Sequence, residues 1–292
     1  MKTETTKMKN LFKSAIVVIA LVLGFTSNAQ TKQIENSLLW EVSGNGVTKP
    51  SYLFGTVHMI CEKDFVLRPK VKEAFAKTSK LALEINITDP NEMAYMQKAA
   101  MGTDLLSKKL SAEQLAELES ILQKQAGIKV SQVDNYSIIT VMSLLQVKSF
   151  GCENLKAYEM ELATQAKEDK KIIIGLETVQ AQMDFLNKSY SDAQMMEYFK
   201  YINTEETQKL VQNYVNENLL AIYQDVTDEK VMDASAKKCL LDERNANWLK
   251  KMPELMKKEG VFFAVGSAHL AGEQGLINLL RKAGYTVKPV MN

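Results

Sequence analysis

Hydrophobic positions change period along this chain. From about residue 38 to 87, and again from 261 to 289, they come in short alternating or continuous runs, the signature of strands; between these regions they recur mostly at helical spacing. Strands are predicted at 38–42 and 51–54, on either side of the polar turn Ser43-Gly44-Asn45-Gly46. A helix over 69–79 opens on Pro69, where a missing N–H costs little. Leu81, Leu83 and Ile85 alternate in a strand over 80–87, and Asp89-Pro90 caps a helix to about residue 101. Ser111 and Gln114 form a capping box for a helix ending near Gly127. Further helices are predicted at 135–150, 155–167, after Ser191, over 204–223 as one long polar element, and over about 242–258. Residues 171–176 read as a fully apolar strand. The chain closes with a strand at 261–265, a loop through His269, a helix over 272–283 followed by Gly284, and a strand at 285–289.

These elements predict an α/β fold. Its sheet is built from two strand-GxxH-helix-strand units related by a pseudo-twofold, with a large helical insertion over about 90–245 between them. The units come from the chain's two histidines, which sit in one local frame: Gly55-Thr56-Val57-His58 and Gly266-Ser267-Ala268-His269. With 13 glycines in 292 residues, chance places Gly three positions before both histidines only about 0.2% of the time, so an internal duplication explains the match better. Two imidazoles in matched settings are expected to meet.

The N-terminus reads as a targeting segment. Lys7, Lys9 and Lys13 precede an apolar stretch at 15–25 that is too short for a membrane span, and Ser27-Asn28-Ala29 offers small residues for cleavage before Gln30. Residues 30–292 are then expected to form one exported domain, periplasmic or secreted, without an integral membrane span. Its net charge, near −2 without the leader, argues against a nucleic-acid partner and leaves a peptide or small-molecule substrate. Cys61, Cys152 and Cys239 are an odd number and do not read as a disulfide framework. Three buried reduced thiols are the favoured reading, over one bridge and a free thiol.

Four polar residues share one kind of position. His58, Glu84, Glu177 and His269 each lie at or just past the end of a predicted strand, and open α/β sheets bind ligands outside the carboxyl ends of their strands. Two His and one Glu form a known catalytic metal set, so His58, Glu84 and His269 are the candidate ligands of a divalent ion, Mn, Co or Zn. Glu177 is the candidate base, or a carboxylate behind the ligands. The chemistry would be hydrolysis, with a peptide bond as the first candidate. The alternatives are a metal-free, esterase-like hydrolase with His as base and Glu behind it, and a non-catalytic module that sequesters peptides or ions.

The stretches Tyr52 to His58, Leu83-Glu84, Gly175-Leu176-Glu177-Thr178, Glu243-Arg244-Asn245 with Trp248, Val265 to Leu270, and Ala283 to Val287 together resemble the TraB/GumN (Tiki-like) family over essentially the whole region beyond the leader. The resemblance implies a fold like the erythromycin-esterase/ChaN group and divalent-metal hydrolase activity. It implies an active-site set of His58, Glu84, Arg244 and His269, with Glu177 nearby. It gives Arg244 a catalytic role, holding a substrate carboxylate or a developing oxyanion. Relatives often carry an acidic residue where Glu153 stands, and Cys152 replaces what is usually an apolar residue.

Overall fold

The computed structural model describes residues 34–291, so the leader and cleavage site expected from the sequence lie outside the described residues. The compact unit Glu35–Asn292 carries every element named below. Its strands are β1 (Leu39–Ser43), β2 (Ser51–Thr56), β3 (Met59–Cys61), β4 (Lys80–Ile85), β5 (Leu155–Ala157), β6 (Ile172–Glu177), β7 (Val261–Gly266) and β8 (Thr286–Pro289). Six of them form a mixed sheet in the order β6-β4-β7-β2-β1-β8. The neighbours β6/β4, β4/β7 and β7/β2 are parallel, and β2/β1 and β1/β8 are antiparallel. The mixed α/β class is as expected.

Burial follows from this order. Strands β2 and β7 are interior strands of the sheet, β7 between two parallel neighbours and β2 between a parallel and an antiparallel one, and both are buried at every residue, as strands covered on both faces must be. The run at β6 is as apolar as theirs, yet β6 is an edge strand with Ile172 exposed. The run's composition does not distinguish an edge from the interior. The two histidine frames are adjacent. β2 and β7 pair with Gly55 opposite Val265 and Thr56 opposite Gly266. One strand, β7, separates β2 from β4, whereas two, β2 and β1, separate β7 from β8.

The intervening helices build a second core. Leu106, Leu118, Leu122, Val141, Leu145, Met195 and Phe199 are buried together there, away from the sheet. Most predicted caps are present. Ser111 and Ser191 form capping boxes, Asp89 accepts from Asn91 N, and Gly127 closes its helix in the left-handed conformation. Two expectations fail. The helix expected over 155–167 starts only at Tyr158, because residues 155–157 pair with β3 as β5. The long helix expected over 204–223 breaks into Thr204–Val215 and Leu219–Val226, with Glu217 between them at φ 54° and Asn218 capping the second. Among the described residues, no helix is long and apolar enough to cross a membrane.

The thiols also depart from expectation. Cys61 and Cys152 form a disulfide, and only Cys239 is a free, buried thiol. The β3–β5 ladder sets Cys61 opposite Leu155 and so brings residues 91 apart in sequence to a Cα–Cα distance of 6.1 Å. The partner strand that does this was hidden inside an apparent helix.

Candidate active site

The parallel strands β6, β4, β7 and β2 end at one edge, and they deliver Glu177, Glu84, His269 and His58 there. Each glycine of the paired frames makes room for the other frame. A Cβ on Gly55 would come within 3.0 Å of Ser267 Cα and 2.9 Å of Leu270 Cδ1. A Cβ on Gly266 would sit 3.2 Å from His58 Nε2, 3.3 Å from Glu84 Oε1 and 3.6 Å from His269 Cδ2. Gly266 is thus the floor on which the two imidazoles and the carboxylate converge. His58 Nε2 and His269 Nε2 stand 4.0 and 3.9 Å from the same oxygen, Glu84 Oε1.

Arg244 joins the carboxylates. It begins the helix Arg244–Met256, directly after a π-helical turn, Lys238–Glu243, an irregularity common at functional sites. Its Nη2 donates to Glu84 Oε2 at 2.6 Å and to Glu177 Oε1 at 2.5 Å, and its Nε donates to Glu177 Oε1 at 3.0 Å. Nη1 reaches the Leu240 carbonyl in the π turn at 3.1 Å and His269 Nε2 at 3.1 Å. Glu177 also accepts from Trp248 Nε1 at 3.2 Å and Gln182 Nε2 at 3.3 Å. Both its oxygens therefore accept hydrogen bonds, and most of these donors belong to Arg244.

The two imidazoles are held through their Nδ1 atoms. Asn245 Nδ2 donates to the His269 and Gln274 carbonyls, so its Oδ1 is the acceptor for His269 Nδ1–H at 2.7 Å. His269 then presents an Nε2 lone pair, which Arg244 Nη1 meets. Trp248 packs on the ring at 4.4 Å between centroids. On the other side, His58 Nδ1 donates to Glu159 Oε1 at 2.9 Å, and the same oxygen accepts from Thr56 Oγ1 at 2.6 Å. His58 sits at φ 58°, uncommon for a residue with a Cβ; the Tyr158 N–H bonds its carbonyl at 2.9 Å and holds it there.

The charges differ between the two histidines. Burial and then the Arg244 cation push His269 down to about 3, against a weaker pull from Glu84. At His58, burial also disfavours the charged form, but Glu159 and then Glu84 outweigh it and push the imidazole up to about 9. Solvent reaches 56% of the His58 side chain and screens part of that attraction. Burial alone would raise Glu84; Arg244, the two histidines and the Gly266 N–H, which donates to Oε1 at 2.8 Å, hold it below the usual carboxylate range. Burial opposes the charge on Arg244, and Glu84 and Glu177 more than restore it.

All five residues singled out in the sequence, His58, Glu84, Glu177, Arg244 and His269, therefore meet at one place. Glu153 does not. It is exposed in the loop beside the disulfide, and the acid that reaches the site is Glu159. Glu159, Asn245 and Gln182 had no role in the sequence reading. Asn245 follows Arg244 directly, and Glu159 occupies the first turn of a helix whose start was misplaced. Among the described residues, no three His, Cys, Asp or Glu side chains are drawn into a closed metal-ligand set.

A parallel-centred α/β sheet with His, Glu and Arg gathered at its strand ends is the class this geometry defines. The chain belongs to the TraB/PrgY/gumN family, whose model matches residues 38–289. It is similar to Metalloprotease TIKI1 of Danio rerio, 22% identical across 87% of this chain and 63% of the relative. It is 23% identical to Metalloprotease TIKI1 of Homo sapiens, across 90% of this chain and 64% of the relative. Against Metalloprotease TIKI2 of Xenopus tropicalis the identity is 24%, across 87% and 60%. The chain thus spans a little under two thirds of the length of these curated relatives. No solved structure is a significant match.

Proposed function

We propose that this chain is an exported hydrolase, acting as a peptidase, in which His58, Glu84 and His269 hold one divalent cation, Mn, Co or Zn. The observation that carries this reading is the convergence of both Nε2 atoms on Glu84 Oε1, over a glycine whose missing Cβ leaves the space open. The donors suit such an ion. Each imidazole has its Nδ1 engaged by a fixed partner, the arrangement that orients a histidine ligand and leaves Nε2 for the ion. With neutral imidazoles, the site holds three carboxylates, Glu84 and Glu177 on Arg244 and Glu159 on His58, against one guanidinium, an imbalance that a divalent cation would offset.

A cation held there would act as a Lewis acid on a carbonyl and make water more acidic. Arg244 has the complementary part. Glu177 and Trp248 fix its Nε side, and the Nη1–H now on His269 Nε2 is the donor available to a substrate carboxylate or a developing oxyanion. Glu177 serves as the carboxylate behind it. The same reading takes the two frames as products of one duplication and residues 30–292 as one exported domain, released by cleavage near Ala29. The Cys61–Cys152 bridge suits an oxidising compartment.

The His58–Glu159 pair favours a second reading, a metal-free hydrolase with His58 as base and Glu159 behind it. The deciding experiment measures the metal content of the purified protein and its cleavage of a peptide library. Chelation is expected to abolish cleavage and Mn, Co or Zn to restore it. His58→Ala and His269→Ala should each lose metal and activity together. Cleavage that survives chelation but not His58→Ala would establish the metal-free reading. Peptide binding without any turnover would make the chain a sequestering module.

A further inference from the structure

His58 is the less secure of the two imidazoles. His269 is buried, stacked on Trp248 and bonded at both nitrogens, whereas more than half of the His58 side chain meets solvent. Its Nε2 is 4.0 Å from Glu84, beyond hydrogen-bond reach, so among the described residues the one hydrogen bond made by its ring runs from Nδ1 to Glu159. An imidazole on an open edge has several staggered orientations about its Cα–Cβ bond. Only some of these turn Nε2 toward Glu84 and His269. A ligand atom that must be found among several orientations binds more weakly than one already in place, because the ordering cost falls on the binding step.

We propose that Glu159, backed by Thr56, is a positioning residue that fixes the His58 ring with Nε2 turned to Glu84 and His269; the inference rests on the reading of that place as a metal site. The carboxylate is itself anchored. Thr56 Oγ1 holds the very oxygen that accepts from His58, at 2.6 Å, and Thr56 belongs to β2, the strand that leads into His58. Glu159 lies in the first turn of the helix Tyr158–Glu168, where a carboxylate is favoured by the helix dipole. The residue before it is tied down on both sides. The Tyr158 N–H bonds the His58 carbonyl at 2.9 Å, and the Tyr158 ring packs between Phe54 and Tyr214. One end of the β3–β5 ladder therefore carries both members of the pair, and the disulfide closes its other end. Asn245 does for His269 what Glu159 does for His58, with an amide in place of a carboxylate.

The test compares the parent, Glu159→Gln and Glu159→Ala by Co(II) titration, following the visible absorption of the bound ion. Losing an outer partner of a ligating histidine typically weakens metal binding about 10- to 100-fold, and that loss is expected for Glu159→Ala. Glu159→Gln keeps an oxygen that accepts from Nδ1 and from Thr56, and is expected to bind within about threefold of the parent. Co(II) bound as tightly by Glu159→Ala as by the parent overturns the proposal. So does a Gln variant as weak as the Ala variant, since charge alone would then be at issue. A second arm needs no metal. With two histidines in the chain, the imidazole nitrogen NMR signals that vanish in His58→Ala assign both rings. A His58 Nδ1 proton protected in the parent and in Glu159→Gln but lost to exchange in Glu159→Ala, with the His269 signals constant, supports positioning. His58 signals unchanged in Glu159→Ala overturn it. If the parent takes up no Co(II), the metal reading fails and this second arm alone decides the role of Glu159.

Discussion

The two Gly-x-x-His frames start from the same local pattern and end in opposite conditions. Both follow a buried parallel strand, and both give up their glycine Cβ to the other frame. Yet His58 stands half in solvent, in the left-handed region, beside a carboxylate, and is pushed up to about 9. His269 lies buried on a short 3-10 turn between an amide and a guanidinium, and is pushed down to about 3. The motif determines where an imidazole sits; residues distant in sequence determine its charge and its freedom. A repeated motif therefore does not imply a repeated role.

The largest effect on this contrast is expected from Arg244→Met. It removes the cation that adds to burial in holding His269 down and leaves Glu84 and Glu177 without their partner, at a cost of roughly 3–5 kcal/mol for breaking a buried ionic network. Urea unfolding at pH 7 should show that loss, and NMR titration should show His269 titrating at higher pH than in the parent. Next comes the pair His269→Ala and His58→Ala. The first removes a buried ring with hydrogen bonds at both nitrogens and should cost roughly 2–4 kcal/mol, whereas the exposed His58 should cost under about 1 kcal/mol. Equal unfolding midpoints for the two variants would erase the contrast. The smallest effect is in the pH profile, where the two histidines pull in opposite directions. The folded-state value of His269 lies below its unfolded value near 6.5, so the unfolded chain binds the extra proton first and stability falls as pH drops from about 6.5 toward 3. Glu84, also depressed, adds to that fall below its ordinary value of 4.5. For His58 the folded value lies above the unfolded one, so its contribution, cut down by solvent at the exposed ring, is complete below about 6.5 and is lost as pH rises toward 9. Unfolding midpoints across pH 5–10 should show the alkaline decline in the parent and a flatter line in His58→Ala.

How much was legible from sequence follows the same division. The strand ends that carry His58, Glu84, Glu177 and His269 could be read because each follows a short apolar run, and the fold class follows from those runs. Arg244 was legible only by resemblance. Nothing local separates it from a charged surface turn, and its function depends on Glu84 and Glu177, which are 160 and 67 residues away. Glu159 was missed for a different reason. Residues 155–157 have helical composition, and only pairing with β3 makes them a strand. The Cys61–Cys152 link was lost with that pairing, since a bridge across 91 residues leaves no local trace.

That bridge also acts where no contact can be drawn, in the unfolded chain. Closing a loop of about that length removes freedom from the denatured ensemble worth about 4–5 kcal/mol in the chain-entropy account. The β3–β5 ladder has three residue pairs, too few to hold alone, and it supports the half of the site with the least buried surface. The buried half is secured by what it touches when folded. The exposed half owes its security largely to conformations that the unfolded molecule can no longer reach.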